Sequence, residues 1–96
     1  ERPAALIIHP RDNVAVALQD LSPGAAVNVP IGGRICRISV LDPIPANHKL
    51  ALTRIRRGAS VVKYGEPIGE ATATIPPGAH VHIHNVRSRR IHPRKR

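Results

Sequence analysis

Apolar residues along this 96-residue chain come in short runs that turn-forming residues interrupt every few positions. Residues 4–9 (AALIIH) and 14–18 (VAVAL) are two such runs, and residues 34–41 (RICRISVL) form a third, which follows a Gly-Gly pair. The β-branched residues in these runs and the early Gly and Pro corners favour strands over helices. The pattern therefore predicts a small all-β module of short strands joined by Gly/Pro corners.

A weak internal repeat marks three of the corners. Residues 17–27, 51–61 and 71–81 each contain Ala, then Leu or Ile four residues later, then Gly-Ala, then Val. Each copy offers one large aliphatic side chain for the core and one glycine for a turn with positive φ. These pairs are Leu21 and Gly24, Ile55 and Gly58, and Ile75 and Gly78. The glycines lack the spacing of a phosphate-binding loop, so the repeat predicts turns rather than a nucleotide site.

Histidines occupy every second position near the end of residues 74–85 (TIPPGAHVHIHN). If this stretch is extended, His80, His82 and His84 lie on one face and alternate with apolar residues on the other. Same-face neighbours are then about 6.5–7 Å apart, close enough for imidazoles to converge on a divalent ion or an anionic substrate. The same pattern is also that of the polar face of an exposed strand, and spacing alone leaves both interpretations open.

The composition predicts a thin, aliphatic core. Phe, Trp and Met are absent, and Tyr64 is the only aromatic residue. A domain of this size buries little more than about 60 % of its unfolded surface, so a partner that covers more of it would add stability.

Cys36 is the single cysteine, which excludes an internal disulfide, and we expect it to be buried as a small apolar group. With no secretory segment and no run of 18 apolar residues, we expect a cytoplasmic protein that does not enter a membrane.

The net charge of +9 is concentrated at the end of the chain. Residues 86–96 hold six of the 15 basic residues and no acid. We therefore predict a folded domain over residues 1–86 and a basic, flexible tail over residues 87–96. One hypothesis is a small nucleic-acid-binding β-module that uses this tail as an electrostatic arm. The lack of aromatic residues for base stacking and the position of the cations outside the folded body argue against this function.

Four motifs in sequence order carry a resemblance to a known family. They are DNVAVAL at residues 12–18, HKLAL at 48–52, KYGEPIG at 63–69 and HVHIHN at 80–85. Together they resemble the small N-terminal module of the altronate dehydratase family, the SAF domain, which related sulfo-lyases carry as a separate small subunit. Asn47 stands where the family commonly has Gly, and the basic tail has no counterpart. The resemblance implies a small β-clip fold.

The resemblance also implies part of a metal-dependent sugar-acid dehydratase, a hydro-lyase that eliminates water from a hydroxy-carboxylate substrate. A large domain or subunit would complete the active site, so we expect the chain alone to be inactive. By the same resemblance, His82 and His84 would bind a divalent metal, with Fe or Mn favoured; we expect firm binding only with the large domain present and weak binding by the isolated chain. His48 would be a proton carrier or substrate ligand, Lys49 a partner of the substrate carboxylate, and Asn85 a residue that orients a histidine or donates a hydrogen bond. A non-catalytic structural adaptor of the same fold is an alternative, but it leaves the histidines unexplained.

Overall fold

The computed structural model describes residues 3–88, which form nine short β-strands and no helix. The all-β prediction is confirmed. The described part of the chain accordingly has no helix long and apolar enough to cross a membrane. The strands are β1 (Ala5–Leu6), β2 (Val14–Ala17), β3 (Ala26–Ile31), β4 (Arg34–Ser39), β5 (Lys49–Ala51), β6 (Ser60–Lys63), β7 (Glu66–Ala71), β8 (His80–Val81) and β9 (Val86–Ser88).

All strand pairs are antiparallel and fall into three small sheets. One sheet has the order β1-β2-β5-β8, the second is the β3–β4 hairpin, and the third has the order β6-β7-β9. In the first sheet Leu50 of β5 lies opposite His80 of β8. Strand β9 reaches Ser88, so Arg87 and Ser88 of the predicted tail lie in a strand. The rest of that tail, residues 89–96, lies outside the described residues.

Four corners with the same type of backbone hydrogen bond link the strands, and the sequence repeat predicts three of them. In each corner a residue with positive φ donates its backbone N–H to the carbonyl of a residue at the end of another strand or directly after it, at 2.8 or 2.9 Å. The donor and acceptor residues are Gly24 and Val40, Asn47 and Ala17, Gly58 and Ala71, and Gly78 and Ala51. The second corner, residues 44–47 (IPAN), is absent from the repeat because Asn47 replaces glycine at φ +72°. Asn is among the few residues that tolerate this conformation.

The aliphatic residue of each corner enters the core. Leu21 pairs with Ile44 and Ile55 with Ile75 in two isolated antiparallel bridges, and all four side chains are buried. These pairs lie in two separate apolar clusters. The first cluster is Ala5, Ala15, Ala17, Leu21, Val27, Val29, Ile38, Val40, Ile44 and Leu50. The second is Val14, Ala51, Ile55, Val61, Ala71, Ile75, Ala79 and Val81. The core is therefore aliphatic, as predicted, and Tyr64 lies outside it with 54 % of its surface exposed.

Asp12, a buried acid in the turn before β2, ties that turn to the third sheet. Its carboxylate accepts backbone N–H groups of Ile8, His9 and Gly65, the last at 2.8 Å. Burial alone would raise the pKa of Asp12, but these hydrogen bonds outweigh it and the pKa is lowered. The motif DNVAVAL thus begins with a residue that holds two parts of the fold together.

The prediction that Cys36 is buried is wrong, because the residue is exposed on β4. Strand β4 belongs to a two-stranded sheet, and residues 32–37 around the tip of its hairpin are all exposed. The alternation of apolar residues in this segment does not reveal that no other layer covers the tip.

Candidate functional site

Two of the four corners bring histidines from distant parts of the sequence together. The corner at residues 44–47 leads into β5, and the corner at residues 75–78 leads into β8. Because β5 and β8 pair through Leu50 and His80, His48 lies two residues from the position opposite His80. Side chains two residues apart in a strand share a face, so both imidazoles come to the same place.

Three imidazoles form a compact group, which we call the imidazole cluster: His48, His80 and His82. The Nδ1 atom of His48 is 2.8 Å from Nε2 of His80, a hydrogen bond whose donor depends on the tautomers. The ring centroids are 4.3 Å apart for His48 and His82, 5.0 Å for His48 and His80, and 5.4 Å for His80 and His82. One nitrogen from each ring lies within 4.8 Å of the other two. The cluster can therefore present three donors to one ion.

The expected extended row of histidines is not formed. Strand β8 contains only His80 and Val81, and residues 83–85 form a turn. His84 lies with its ring centroid 5.3 Å from that of His80 and tilted by 38°, and it is outside the group of three converging nitrogens. Of the predicted metal pair, His82 is in the cluster and His84 is beside it. His80, which was not predicted as a ligand, and His48, which was predicted as a proton carrier, complete the group.

Asn85 closes the turn that ends the histidine motif. Its Oδ1 atom accepts the backbone N–H of His82 at 3.0 Å, and its Nδ2 atom donates to the carbonyl of His80 at 2.8 Å. The backbone N–H of Asn85 also donates to the carbonyl of His82. The side chain thus holds the backbone of both neighbouring imidazoles, while a direct role in catalysis stays a prediction.

Asp42 also supports the backbone of the cluster, and sequence reasoning missed it. Its Oδ2 atom accepts the backbone N–H of His80 at 2.8 Å. The preceding residue, Leu41, donates its N–H to the carbonyl of Gly78 at 2.9 Å. A Cβ on Gly78 would overlap the carbonyl oxygen of Ser39, so only glycine permits this close approach. The only sequence signal was an acid just before the Pro-rich segment.

The electrostatics around His80 and His82 favour neutral imidazoles. Burial, followed by the neighbouring charges of His48, His84 and His82, lowers the pKa of His80, although Asp42 partly opposes this. Burial and then His48, Lys49 and His84 lower the pKa of His82 in the same way. A neutral imidazole keeps a free lone pair and is the form that binds metal. Both histidines therefore favour the ligand form at neutral pH.

Lys49 lies next to His48 in the sequence, but it lines a different space. This half-buried residue borders a cleft of about 210 Å³, which we call the Lys49 cleft. The lining residues are Lys49, Ile68, His82, Ile83, Val86 and Ser88. His82 belongs to both the cluster and the cleft, so the two features adjoin.

The donor set of the cluster fits a catalytic type of metal centre. Such centres commonly have three protein ligands and one open position, with metal–nitrogen distances of about 2.0–2.1 Å for zinc. Three imidazole nitrogens within 4.8 Å of one another can reach one ion with small side-chain rotations, provided that the contact between His48 and His80 opens. Within residues 3–88 this is the single group of three such ligands.

Comparison with known proteins identifies the family. The family model described as "Altronate/galactarate dehydratase SAF domain" matches residues 3–89. Altronate dehydratase of Escherichia coli (strain K12) is 48 % identical over 81 residues, and that of Bacillus subtilis (strain 168) is 42 % identical. Each of these matches covers 84 % of the chain but only 16 % of the relative.

A lyase subunit is also similar to the chain, and the match covers a larger share of that relative. The (2R)-sulfolactate sulfo-lyase subunit alpha of Chromohalobacter salexigens is 40 % identical over 57 residues, which is 59 % of the chain and 61 % of that subunit. The domain thus occurs both in long dehydratases and in a separate subunit of a lyase. The chain belongs to the SAF domain family of altronate and galactarate dehydratases.

Proposed function

We propose that this chain supplies part of the metal-dependent active site of a sugar-acid dehydratase, with a larger domain or subunit supplying the rest. The observation that carries the proposal is the convergence of His48, His80 and His82 in a member of this family. The small share of the dehydratase relatives that the chain covers supports a larger partner. The occurrence of the domain in a lyase subunit supports the same conclusion.

Elimination of water beside a carboxylate requires loss of a weakly acidic α-proton and departure of a β-hydroxyl. A divalent metal, when bound, would act as a Lewis acid that stabilises the negative charge developing on the substrate. The three residues of the imidazole cluster would hold it, and His84 is near enough to remain a candidate additional ligand. Imidazole accepts several metals, so the preference for Fe or Mn derives from the family resemblance alone.

His48 can be a metal ligand or the proton carrier that the family resemblance implies, but not both through one nitrogen; as a carrier it would leave the metal to His80 and His82. The Nδ1 atom of His48 shares a hydrogen bond with Nε2 of His80, so one proton lies between the two rings. An imidazole that is hydrogen-bonded to a second imidazole can pass a proton to it, which suits general acid–base chemistry. Asn85 contributes by holding the backbone of His80 and His82 in place. In this proposal the chain positions the imidazoles and holds a proton.

The proposal also predicts that the chain alone is inactive. Its cluster is half-buried at the surface of the described residues and has no carboxylate among the three ligands. A nucleic-acid module and a structural adaptor remain alternatives, but both leave three converging imidazoles without a use. The cytoplasmic location stays a prediction.

A chimera tests the proposal. Residues 3–88 of this chain would replace the matching segment of Escherichia coli altronate dehydratase, which is 48 % identical. We expect the chimera to dehydrate altronate, and His82→Gln to lower kcat by at least about 100-fold, as is typical when a group acts in the transition state. His9→Gln, a histidine outside the cluster, is the matched control. An active chimera that tolerates replacement of each cluster histidine would refute the proposal.

A further inference from the structure

Strand β4 has one open edge. Among the described strands it pairs only with β3, in a sheet of two strands. The loop between them is the pair Gly32-Gly33, and Ile31 lies opposite Arg34 across it. Both glycines have positive φ, at +54° and +82°, as in the type I′ turn that is common in hairpins. Two-stranded hairpins are only marginally stable in water, so a third strand beside β4 would stabilise this one.

The pairing register shows which backbone groups of β4 point to the open edge. In an antiparallel hairpin the pair beside a two-residue loop is hydrogen-bonded, and bonded pairs then alternate with non-bonded ones. At the other end of the hairpin the N–H of Val40 donates to the carbonyl of Ala25 at 2.8 Å, which fits the same alternation. Cys36 is therefore bonded to β3, while the N–H and C=O groups of Ile35 and Arg37 point away from it. Within residues 3–88 neither N–H has a backbone partner outside the hairpin.

The two strands of the hairpin differ in how their edges are protected. On β3, Pro30 lies opposite Ile35 and has no N–H to offer to an added strand. Strand β4 has no proline, so its outward groups are free to pair. Ile35 is 64 % exposed, and a hollow of about 300 Å³ beside it is lined by Ile31, Arg34, Ile35 and Cys36. The open edge of β4 thus combines unpaired backbone groups with apolar surface.

The charges of the hairpin indicate what kind of strand fits this edge. Residues 21–41 contain no acid, and Arg34 and Arg37 on β4 are both exposed. Neither arginine forms an ion pair within residues 3–88. A second copy of β4 would bring two more arginines to the same edge and would be repelled, whereas carboxylates on an added strand would pair with them. Charge therefore favours an acidic partner over a copy of this chain.

We propose that the open edge of β4 binds an extended acidic segment of the larger domain or subunit, which adds a third strand to the hairpin. Backbone hydrogen bonds to Ile35 and Arg37 would hold the segment, as in other cases of strand addition to a sheet edge. Its carboxylates would pair with Arg34 and Arg37, and an apolar side chain would fill the hollow. The inference rests on the proposed function for the existence of the larger partner, but it uses no residue of the imidazole cluster.

Amide hydrogen exchange at single-residue resolution tests the inference, in the chain alone and in the chimera with Escherichia coli altronate dehydratase. The amides of Ile35 and Arg37 should exchange at least about 10-fold more slowly in the chimera, because they gain hydrogen bonds there. The amide of Arg56, which is exposed on a corner outside the hairpin, is the reference and should change by less than about threefold.

Two sets of variants separate the backbone contribution from the charge contribution. Ile35→Pro removes an outward N–H and none of the bonds to β3, so it should abolish the protection of Arg37 in the chimera. Arg34→Gln combined with Arg37→Gln leaves the backbone bonds of the hairpin intact, and it should lower the protection of Ile35 at least about threefold. Arg54→Gln combined with Arg56→Gln replaces two exposed arginines outside the hairpin, and this matched control should leave the protection unchanged.

The outcomes distinguish this inference from the proposed function. Equal exchange of Ile35 and Arg37 in the chain alone and in an active chimera would overturn the inference and leave the proposed function standing. Full protection of Ile35 after both hairpin arginines are replaced would refute an acidic partner strand. A folded but inactive chimera in which both amides are protected would count against the proposed function and support the inference.

Discussion

Replacement of Asn85 by Ala should destabilise the domain through the loss of two specific hydrogen bonds. The side chain accepts from the backbone N–H of His82 at 3.0 Å and donates to the carbonyl of His80 at 2.8 Å, and both bonds are half-buried. At a net value of about 0.5–1.5 kcal/mol for each hydrogen bond, Asn85→Ala should lower the free energy of unfolding by about 1–3 kcal/mol. For a domain of this size, each kcal/mol corresponds to roughly 4–8 °C in Tm.

Thermal and urea unfolding followed by circular dichroism would measure this loss. Asn85→Asp is an informative intermediate, because it keeps the acceptor for His82 and removes the donor to His80. Asn28→Ala is the matched control: Asn28 is exposed on β3, with one long contact of 3.5 Å to Arg37. That variant should change the free energy of unfolding by less than about 0.5 kcal/mol. If Asn85→Ala costs no more than Asn28→Ala, the turn is held by something other than this side chain.

Two further predictions concern the backbone that supports the site and the protonation of its histidines. Gly78→Ala should cost about 2–5 kcal/mol of unfolding free energy, because it adds a backbone overlap with Ser39 to the penalty of a positive φ. Gly24→Ala, at φ +88° with open space around it, should cost only about 1–2 kcal/mol in the same urea experiment, and equal losses would contradict the assigned overlap. Because the pKa values of His80 and His82 are lowered below the ordinary 6.5, the unfolded chain binds more protons, so stability should fall as the pH drops below 6.5. His80→Gln should reduce this fall between pH 7.5 and 5.5, and an unchanged pH profile would show that the cluster is not responsible.

The strands and three of the corners could be predicted from local sequence because their determinants are local. Gly24, Gly58 and Gly78 supply positive φ, and one aliphatic residue per corner fills the core. The fourth corner follows the same rules, but Asn47 meets the conformational requirement without glycine, so a search for Gly-Ala misses it. An alignment of residues 44–47 (IPAN) with residues 75–78 (IPPG) would have found it.

The sequence predicted which types of residue form the site, but it did not predict how they are arranged. The alternation in HVHIHN is that of a strand, yet the Asn85 side chain satisfies backbone groups of His80 and His82 and folds the segment into a turn. The pairing of β5 with β8 brings His48 to His80 across 32 positions in sequence, and no local pattern contains that information. Asp42 likewise reaches the site through a tertiary contact, its hydrogen bond with the backbone N–H of His80.

The most direct test of the central claim is an NMR titration of the imidazole nitrogens with Zn²⁺, a diamagnetic probe for divalent ions. The account predicts weak one-to-one binding by the isolated domain, with the ring nitrogens of His48, His80 and His82 shifting together while those of His9 stay unchanged. His48→Gln should weaken binding at least about 10-fold, since it removes one of three ligands. A titration in which His48 does not respond, or in which His9 shifts as much as the cluster, would contradict the claim that these three imidazoles form one metal-binding centre.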